Sequence, residues 1–268
     1  MTNEQQFYEE YWSGWAGSWP RNVHPDLQRV LRRAITQSMS VLDVGCGNCS
    51  AYQQLVKDRA SSFTGVDISD TAVTEAKRRG FHALTIRDAS ELPFEAASFD
   101  CVLAFEVMEH LFDPASALRE IKRTLKPGGL LVATVPNVAA WPHRLGFALL
   151  GRFNPGGHPL LSALEPWHDP HIRFFTRGTL SRLAKEEGFD AVTVSGAGFS
   201  LFGQMPFVRR RGISETISSP FRPLQHLMPG LLGALLVLEA RAPRTLSVGA
   251  GVGQVSGTPD TFGPQSEH

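Results

Sequence analysis

Cysteine is scarce in this chain, with three in 268 residues, at 46, 49 and 101. Thiols so few and so clustered build no disulfide framework, and they point to a reducing cytoplasm. An excess of charge is missing too, because 26 basic and 26 acidic residues cancel. That balance argues against a nucleic-acid binder relying on a broad basic surface. No run of 18 apolar residues occurs, so nothing is expected to span a membrane. The polar, acidic start from Thr2 to Gln6 does not read as a signal peptide. What is present, with 42% hydrophobic content, is ordinary for one globular domain with additions, long enough to bury a full core.

The most informative stretch is Val41-Leu-Asp-Val-Gly-Cys-Gly-Asn-Cys-Ser50. It reads as a buried parallel strand breaking into a tight turn, followed by a helical pattern through Tyr52, Leu55 and Val56. Gly45 and Gly47 tolerate positive φ and leave no Cβ against a ligand lying across the turn. Such a turn alone is a weak signal; the spacing supplies the strength. A second strand, Phe63-Thr-Gly-Val-Asp67, ends in an acid about twenty residues later, where a ribose usually finds its acceptor. Ala83 to Ser90 brings Asp88, and Phe99 to Glu106 runs into a loop at the same sheet edge. Together these strand ends describe a nucleoside site. A nicotinamide dinucleotide would call for a third glycine at position 50, where this chain has Ser50. Cys46 and Cys49 have C-x-x-C spacing, which raises a redox or zinc reading. A small residue between two glycines already accounts for Cys46, and no second pair exists to complete a zinc site.

The ordered series Val41–Gly47, Asp67, Asp88–Ser90, Leu92-Pro-Phe94, Ser98-Phe-Asp100, Glu106-Val-Met-Glu-His110 and Leu125–Asn137 resembles a class I S-adenosylmethionine-dependent methyltransferase. It is of the small-molecule type that includes ubiquinone-pathway O-methyltransferases, and the resemblance covers roughly residues 38 to 195. It implies an α/β, Rossmann-like, seven-stranded, mostly parallel sheet with helices on both faces. It also implies that Asp43, Gly45, Cys46 and Gly47 lie against the methionine and ribose of adenosylmethionine. Asp67 is expected to accept from the ribose hydroxyls, Ile68 to pack the adenine, and Asp88 to accept from its amine beside Ala89. Phe105 and Glu106 are expected to border the sulfonium.

Around this core, residues 1–37 form an N-terminal helical cap whose aromatics (Phe7, Tyr8, Tyr11, Trp12, Trp15, Trp19) either pack on the sheet or close over the cofactor. The methyltransferase domain spans 38–243. Helices are expected over Asp70–Arg79 (stopped by Gly80), from Asp113 to Leu125, and from Arg177 to Gly188. Strands are expected over Leu130–Val135, Phe189–Ser195 and Leu235–Ala242. Residues 137–172, rich in Pro, Gly, aromatics and histidines (His143, His158, His168, His171), read as a lid following the fifth strand. Residues 199–232, apolar and basic by turns with Arg209-Arg210-Arg211, read as a lid or dimer-contact segment. A peripheral membrane helix is the alternative there, but four prolines interrupt it. Residues 244–268 read as a disordered tail.

Glu106-Val-Met-Glu109-His110 places two carboxylates and an imidazole at spacings that share a face. Three readings stand open: His110 as general base, a structural histidine, or a metal site. In the last, Glu106, Glu109 and His110 would hold Mg or Mn. Resembling families that bind a metal with this pattern complete it with a downstream histidine; here His171 fits best and His168 second. The expected activity is methyl transfer to oxygen, less readily nitrogen or carbon, of a small-molecule or lipid-like acceptor. Its alternatives are a cofactor-binding partner module without turnover, or 2′-O-methylation of RNA, which the neutral charge disfavours. The oligomeric state is not legible.

Overall fold

The computed structural model describes residues 3–14, 23–151, 153, 170–199 and 227–244. Trp15, Trp19, His158, His168, Arg209–Arg211 and nearly all of the expected tail lie outside the described residues, as does much of both lid segments. The chain order is α1 (Asn3–Gly14), α2 (Pro25–Ala34), β1 (Ser40–Val44), α3 (Gln53–Lys57), β2 (Ser62–Asp67), α4 (Asp70–Arg78), β3 (Ala83–Thr85) and β4 (Phe99–Phe105). It continues with α5 (Pro114–Thr124), β5 (Leu125–Pro136), α6 (Trp141–Leu150), α7 (Arg177–Glu186), β6 (Asp190–Phe199), α8 (Pro229–Leu232) and β7 (Gly233–Arg241). The seven strands form one sheet in the order β3-β2-β1-β4-β5-β7-β6. All neighbours pair parallel except β7, which runs antiparallel between β5 and β6.

Alternate residues of the central strands serve opposite faces, as the two-residue period of a strand requires. Leu42, Val102, Ala104, Leu131 and Val135 pack against Leu118 and Ile121 of α5 and Leu180 of α7. Val41, Cys101, Leu103 and Val132 pack against Leu27 and Leu31 of α2 and Val73 and Ala76 of α4. Both faces are covered, which is why the centres of these strands are apolar on successive residues, as in Val102-Leu-Ala-Phe105 and Leu130–Ala133. The expected sheet and its two helical layers are therefore present.

Short-range side-chain bonds set the starts of three helices. Ser69 caps α4 by accepting from the Ala72 N–H at 3.1 Å. Asp113 caps α5 through the Ser116 N–H at 3.1 Å, with Pro114 at its first turn. Thr176 and Thr179 close a reciprocal box on α7. Two elements differ from expectation. The fifth strand begins at Leu125 rather than Leu130, because Lys126–Gly129 loops out inside it: Leu125 pairs with Phe99 and Leu130 with Cys101. Gly128, at φ +77, makes that excursion. The third strand stops at Thr85, so Asp88 sits in a turn, where its carboxylate accepts from the Ser90 N–H at 2.7 Å.

After β3 the chain returns to the other side of β1, so the strand order reverses between β1 and β4. In open α/β sheets a ligand crevice forms at that reversal, outside the carboxyl ends of the strands.

Candidate cofactor and catalytic cleft

A cavity of about 570 Å³ opens at this point. Of the residues expected at a cofactor, Gly45, Cys46, Gly47, Asp67, Ile68, Asp88, Ala89, Phe105 and Glu106 line it, and His110 lines it with them. Asp43 does not. Its side chain is fully buried behind the turn, and both carboxylate oxygens are taken from within: Tyr52 Oη donates at 2.8 Å and Gln53 Nε2 at 3.1 Å. Gln53 Nε2 also reaches the Cys46 carbonyl at 3.2 Å. Desolvation pushes the Asp43 carboxyl up to about 7 despite those two donors. This acid therefore ties the start of α3 to β1 and shapes the turn from behind. Nothing in the local pattern signals this, because Tyr52 and Gln53 look like ordinary helix-entry residues.

The turn itself is built for close approach. Gly45 and Gly47 have φ of +72 and +54. A Cβ on Gly45 would lie 2.4 Å from Cγ2 of Val107, and one on Gly47 would lie 2.7 Å from the Trp12 ring. Gly45 is thus required by packing against the loop after β4, not only by clearance for a ligand. Cys46 is small for a related reason, since a Cβ on Gly65 would already touch its Sγ at 2.6 Å. All three cysteines are buried free thiols. Asp67 knits the two ends of the cleft: its carboxylate accepts from the Gly47 N–H at 2.8 Å and from the Ser69 N–H at 3.0 Å. Burial raises its pKa, against the pull of those N–H donors.

Helix α1 lies over this cleft, and Phe7, Tyr8, Tyr11 and Trp12 line the cavity. Glu9 holds it there. Its carboxylate accepts from the backbone N–H of Asp70 and, at 3.2 Å and 2.6 Å, from the N–H and hydroxyl of Thr71. A carboxylate at the N-terminus of α4 meets unpaired N–H groups and the positive end of the helix dipole. Nothing in the spacing of Glu9 announced that long-range cap.

On the β4 side, Glu106 has φ +55 and accepts from the Thr134 hydroxyl at 2.9 Å. Protein packed around the cavity floor pushes its carboxyl up to about 7. Its surface is nonetheless open to the cavity, which moderates that shift. Glu109 is different: it is 1% exposed, and neither carboxylate oxygen has a hydrogen-bond partner among the described residues. Burial and the charge of Glu106 hold its pKa well above the ordinary range. His171 Nε2 approaches Glu109 Oε1 at 3.9 Å, and the His171 ring stacks on His110 with centroids 4.8 Å apart. Glu109, His110 and His171 each offer a ligand atom within 4.8 Å of the others. Glu106 is not part of that group, because residues 106–110 form a turn rather than a helix and its carboxylate is engaged by Thr134. His110 Nδ1 lies 3.2 Å from the Pro170 carbonyl. A carbonyl only accepts, so Nδ1 carries the proton in that contact and Nε2 is the basic atom of the neutral ring. Tyr8 meets the same ring edge-on at 5.9 Å.

The model of the methyltransferase domain family matches residues 42–133, which run from β1 through the turn and β4 into β5. Residues 42–133 form a methyltransferase domain, similar to those of S-adenosylmethionine-dependent methyltransferases. Among curated relatives, this methyltransferase is 27% identical over 183 residues to the ubiquinone biosynthesis O-methyltransferase of Chromobacterium violaceum, covering 65% of this chain and 74% of that one. It is 36% identical over 98 residues to the 27-O-demethylrifamycin SV methyltransferase of Amycolatopsis mediterranei. That match covers 34% of this chain and spans 36% of the relative's length. A solved S-adenosylmethionine-dependent methyltransferase from Archaeoglobus fulgidus shares the fold with a TM-score of 0.55 at 19% identity, over 88% of this chain and 99% of that one. Among the described residues, no helix of the methyltransferase is long and apolar enough to cross a membrane.

Proposed function

We propose that this methyltransferase transfers a methyl group to an oxygen of a small-molecule or lipid-like acceptor, with His110 taking the acceptor's proton. One observation carries the reading: a single cavity is lined both by the glycine turn with Asp67 and by His110. Adenosylmethionine, bound here, would supply an electrophilic methyl on a sulfonium, with the sulfur as leaving group. The protein's own work is then to hold the acceptor hydroxyl in line and to accept its proton. Nε2 of His110 is the atom for that step, with Nδ1–H anchored on Pro170. Asp67 would accept from the ribose hydroxyls, Ile68 and Ala89 would flank the adenine, and Asp88 would accept from its amine. Phe105 and Glu106 border the sulfonium; a cation there favours the ionised form of Glu106. Incubation with labelled adenosylmethionine and a panel of phenols, quinols and sugars tests this reading. Labelled ether product supports it, whereas cofactor binding without product from any acceptor leaves a partner module instead.

A second reading rests on Glu109. A buried carboxylate without a hydrogen bond is costly, and a divalent cation held with His110 and His171 would satisfy it. The donor set of one hard oxygen and two imidazoles suits Mn better than Mg.

Asp67→Ala is expected to weaken adenosylhomocysteine binding by about 1–3 kcal/mol, through loss of a charged acceptor in a closed site. Asp67→Asn should lose less, since one carbonyl remains to take the Gly47 or Ser69 N–H. Unchanged affinity of the alanine variant in calorimetry would remove Asp67 from the cofactor site.

A further inference from the structure

Helix α6 is covered least where it is most apolar. From Arg144 to Leu150 every residue except Gly146 is exposed, and Phe147 and Leu149 are 62% and 71% exposed. A helix on a protein surface normally hides one apolar stripe and shows a polar face. Here Leu145 and Leu149 lie on one side and Phe147 and Leu150 on another, and both sides are bare. The apolar surface continues past the helix end. Phe153 meets exposed Phe174 edge-on at 5.3 Å. Exposed Ile172 stands two residues earlier in the chain. Next to it, the Arg173 guanidinium donates to the carbonyl of Phe112 at 2.5 Å. Phe112, 72% exposed, lines the cavity. A band of exposed apolar side chains thus leads from α6 to the cleft.

Charge around the band has one predominant sign. Arg144 and Arg173 are exposed beside it, and the described residues from Asn137 to Phe153 include no Asp or Glu. The neighbouring carboxylate, Asp113, is occupied as the cap of α5 and pairs with Arg119. We propose that this face docks on an anionic lipid surface, with Phe147 and Leu149 entering the headgroup boundary and Arg144 and Arg173 facing lipid phosphates. Bare apolar residues on two sides of one short helix suit a soft phase that wraps them, and the arginines match its charge. A second copy of the chain fits less well, because a two-fold contact would set the same arginines against each other. The inference does not depend on which acceptor the cleft takes.

Sedimentation of the full chain with vesicles tests it, using phosphatidylglycerol mixed into phosphatidylcholine against phosphatidylcholine alone. Binding is expected to the anionic vesicles and to fall with salt. Replacing Phe147→Asp with Leu149→Asp should reduce it by roughly tenfold or more, with circular dichroism and adenosylhomocysteine affinity unchanged. Arg144→Glu provides a second variant should the double one fail to fold, and a loss of anionic-vesicle binding is expected there as well. Equal binding by folded variants and wild type overturns the proposal, as does wild type that binds neither vesicle. A wild-type dimer broken by the same substitutions, without vesicle binding, overturns it too and assigns the face to a second copy. None of these outcomes bears on methyl transfer, which the acceptor panel reads separately.

Discussion

Gly45→Val is expected to abolish cofactor binding and to destabilise the protein at the same time. Two independent costs act at this residue. The backbone sits at φ +72, where a left-handed conformation costs an ordinary residue roughly 1–2 kcal/mol, and a β-branched one more. Any Cβ also lies 2.4 Å from Cγ2 of Val107, and overpacking of that kind costs roughly 1–3 kcal/mol. Val107 follows directly on Glu106, so relief of the clash shifts the loop that borders the cavity on the β4 side. The turn then loses its shape on both sides of the ligand space. A thermal melt with calorimetry on the same sample checks this. For a chain of this size, each kcal/mol lowers Tm by roughly 2–4 °C. A folded variant of normal Tm and normal affinity would mean that Val107 moves aside freely and that the turn does not contact the cofactor. Gly45→Ala, lacking the branch, should fall between the two.

His110→Ala is expected to slow turnover by a factor on the order of 10²–10⁴ with little change in cofactor affinity. The reason separates the two readings of the site. For a general base the neutral ring is the active form, so the wild-type rate rises with pH as the imidazolium loses its proton, and a chelator changes nothing. For a metal site the rate collapses under chelator and returns with Mn or Mg. Glu109→Gln and His171→Ala then reproduce the loss seen for His110→Ala, because the three side chains hold one ion. Glu109→Gln is the sharper variant: it keeps the shape of the buried side chain while removing its charge, which matters to a cation and little to a base. Rates of wild type and the three variants, with and without chelator, decide the question. Full activity of His110→Ala under both conditions would leave this histidine a structural residue.

The sequence was most legible where one short segment determines its own geometry. Asp113 and Thr176 cap the starts of the helices read at 113–125 and 177–188, because a cap is a bond between residues two or three apart. Near-continuous apolar runs placed β1, β4 and β5 in a sheet covered on both faces. It was less legible where an element is interrupted. Lys126-Pro-Gly-Gly129 has the composition of a helix stop, yet the chain is already in β5, since its pairing with β4 resumes after the excursion.

Among the site residues, the order of glycines and acids along the chain determined the family and put Gly45, Gly47, Asp67 and Asp88 at one sheet edge, because parallel strands end on the same side. Only the tertiary structure decided what each then touches. It turned Asp43 away from the cavity onto Tyr52 and Gln53, and it grouped Glu109 with His110 and His171 but not with Glu106. It also brought Glu9 across to the start of α4. Most of those contacts lie beyond the reach of a helix or strand period, from 9 positions for Tyr52 with Asp43 to 62 for Glu9 with Thr71. Local pattern carries no information at that range; packing of the two sheet faces and of α1 over the cleft supplies it.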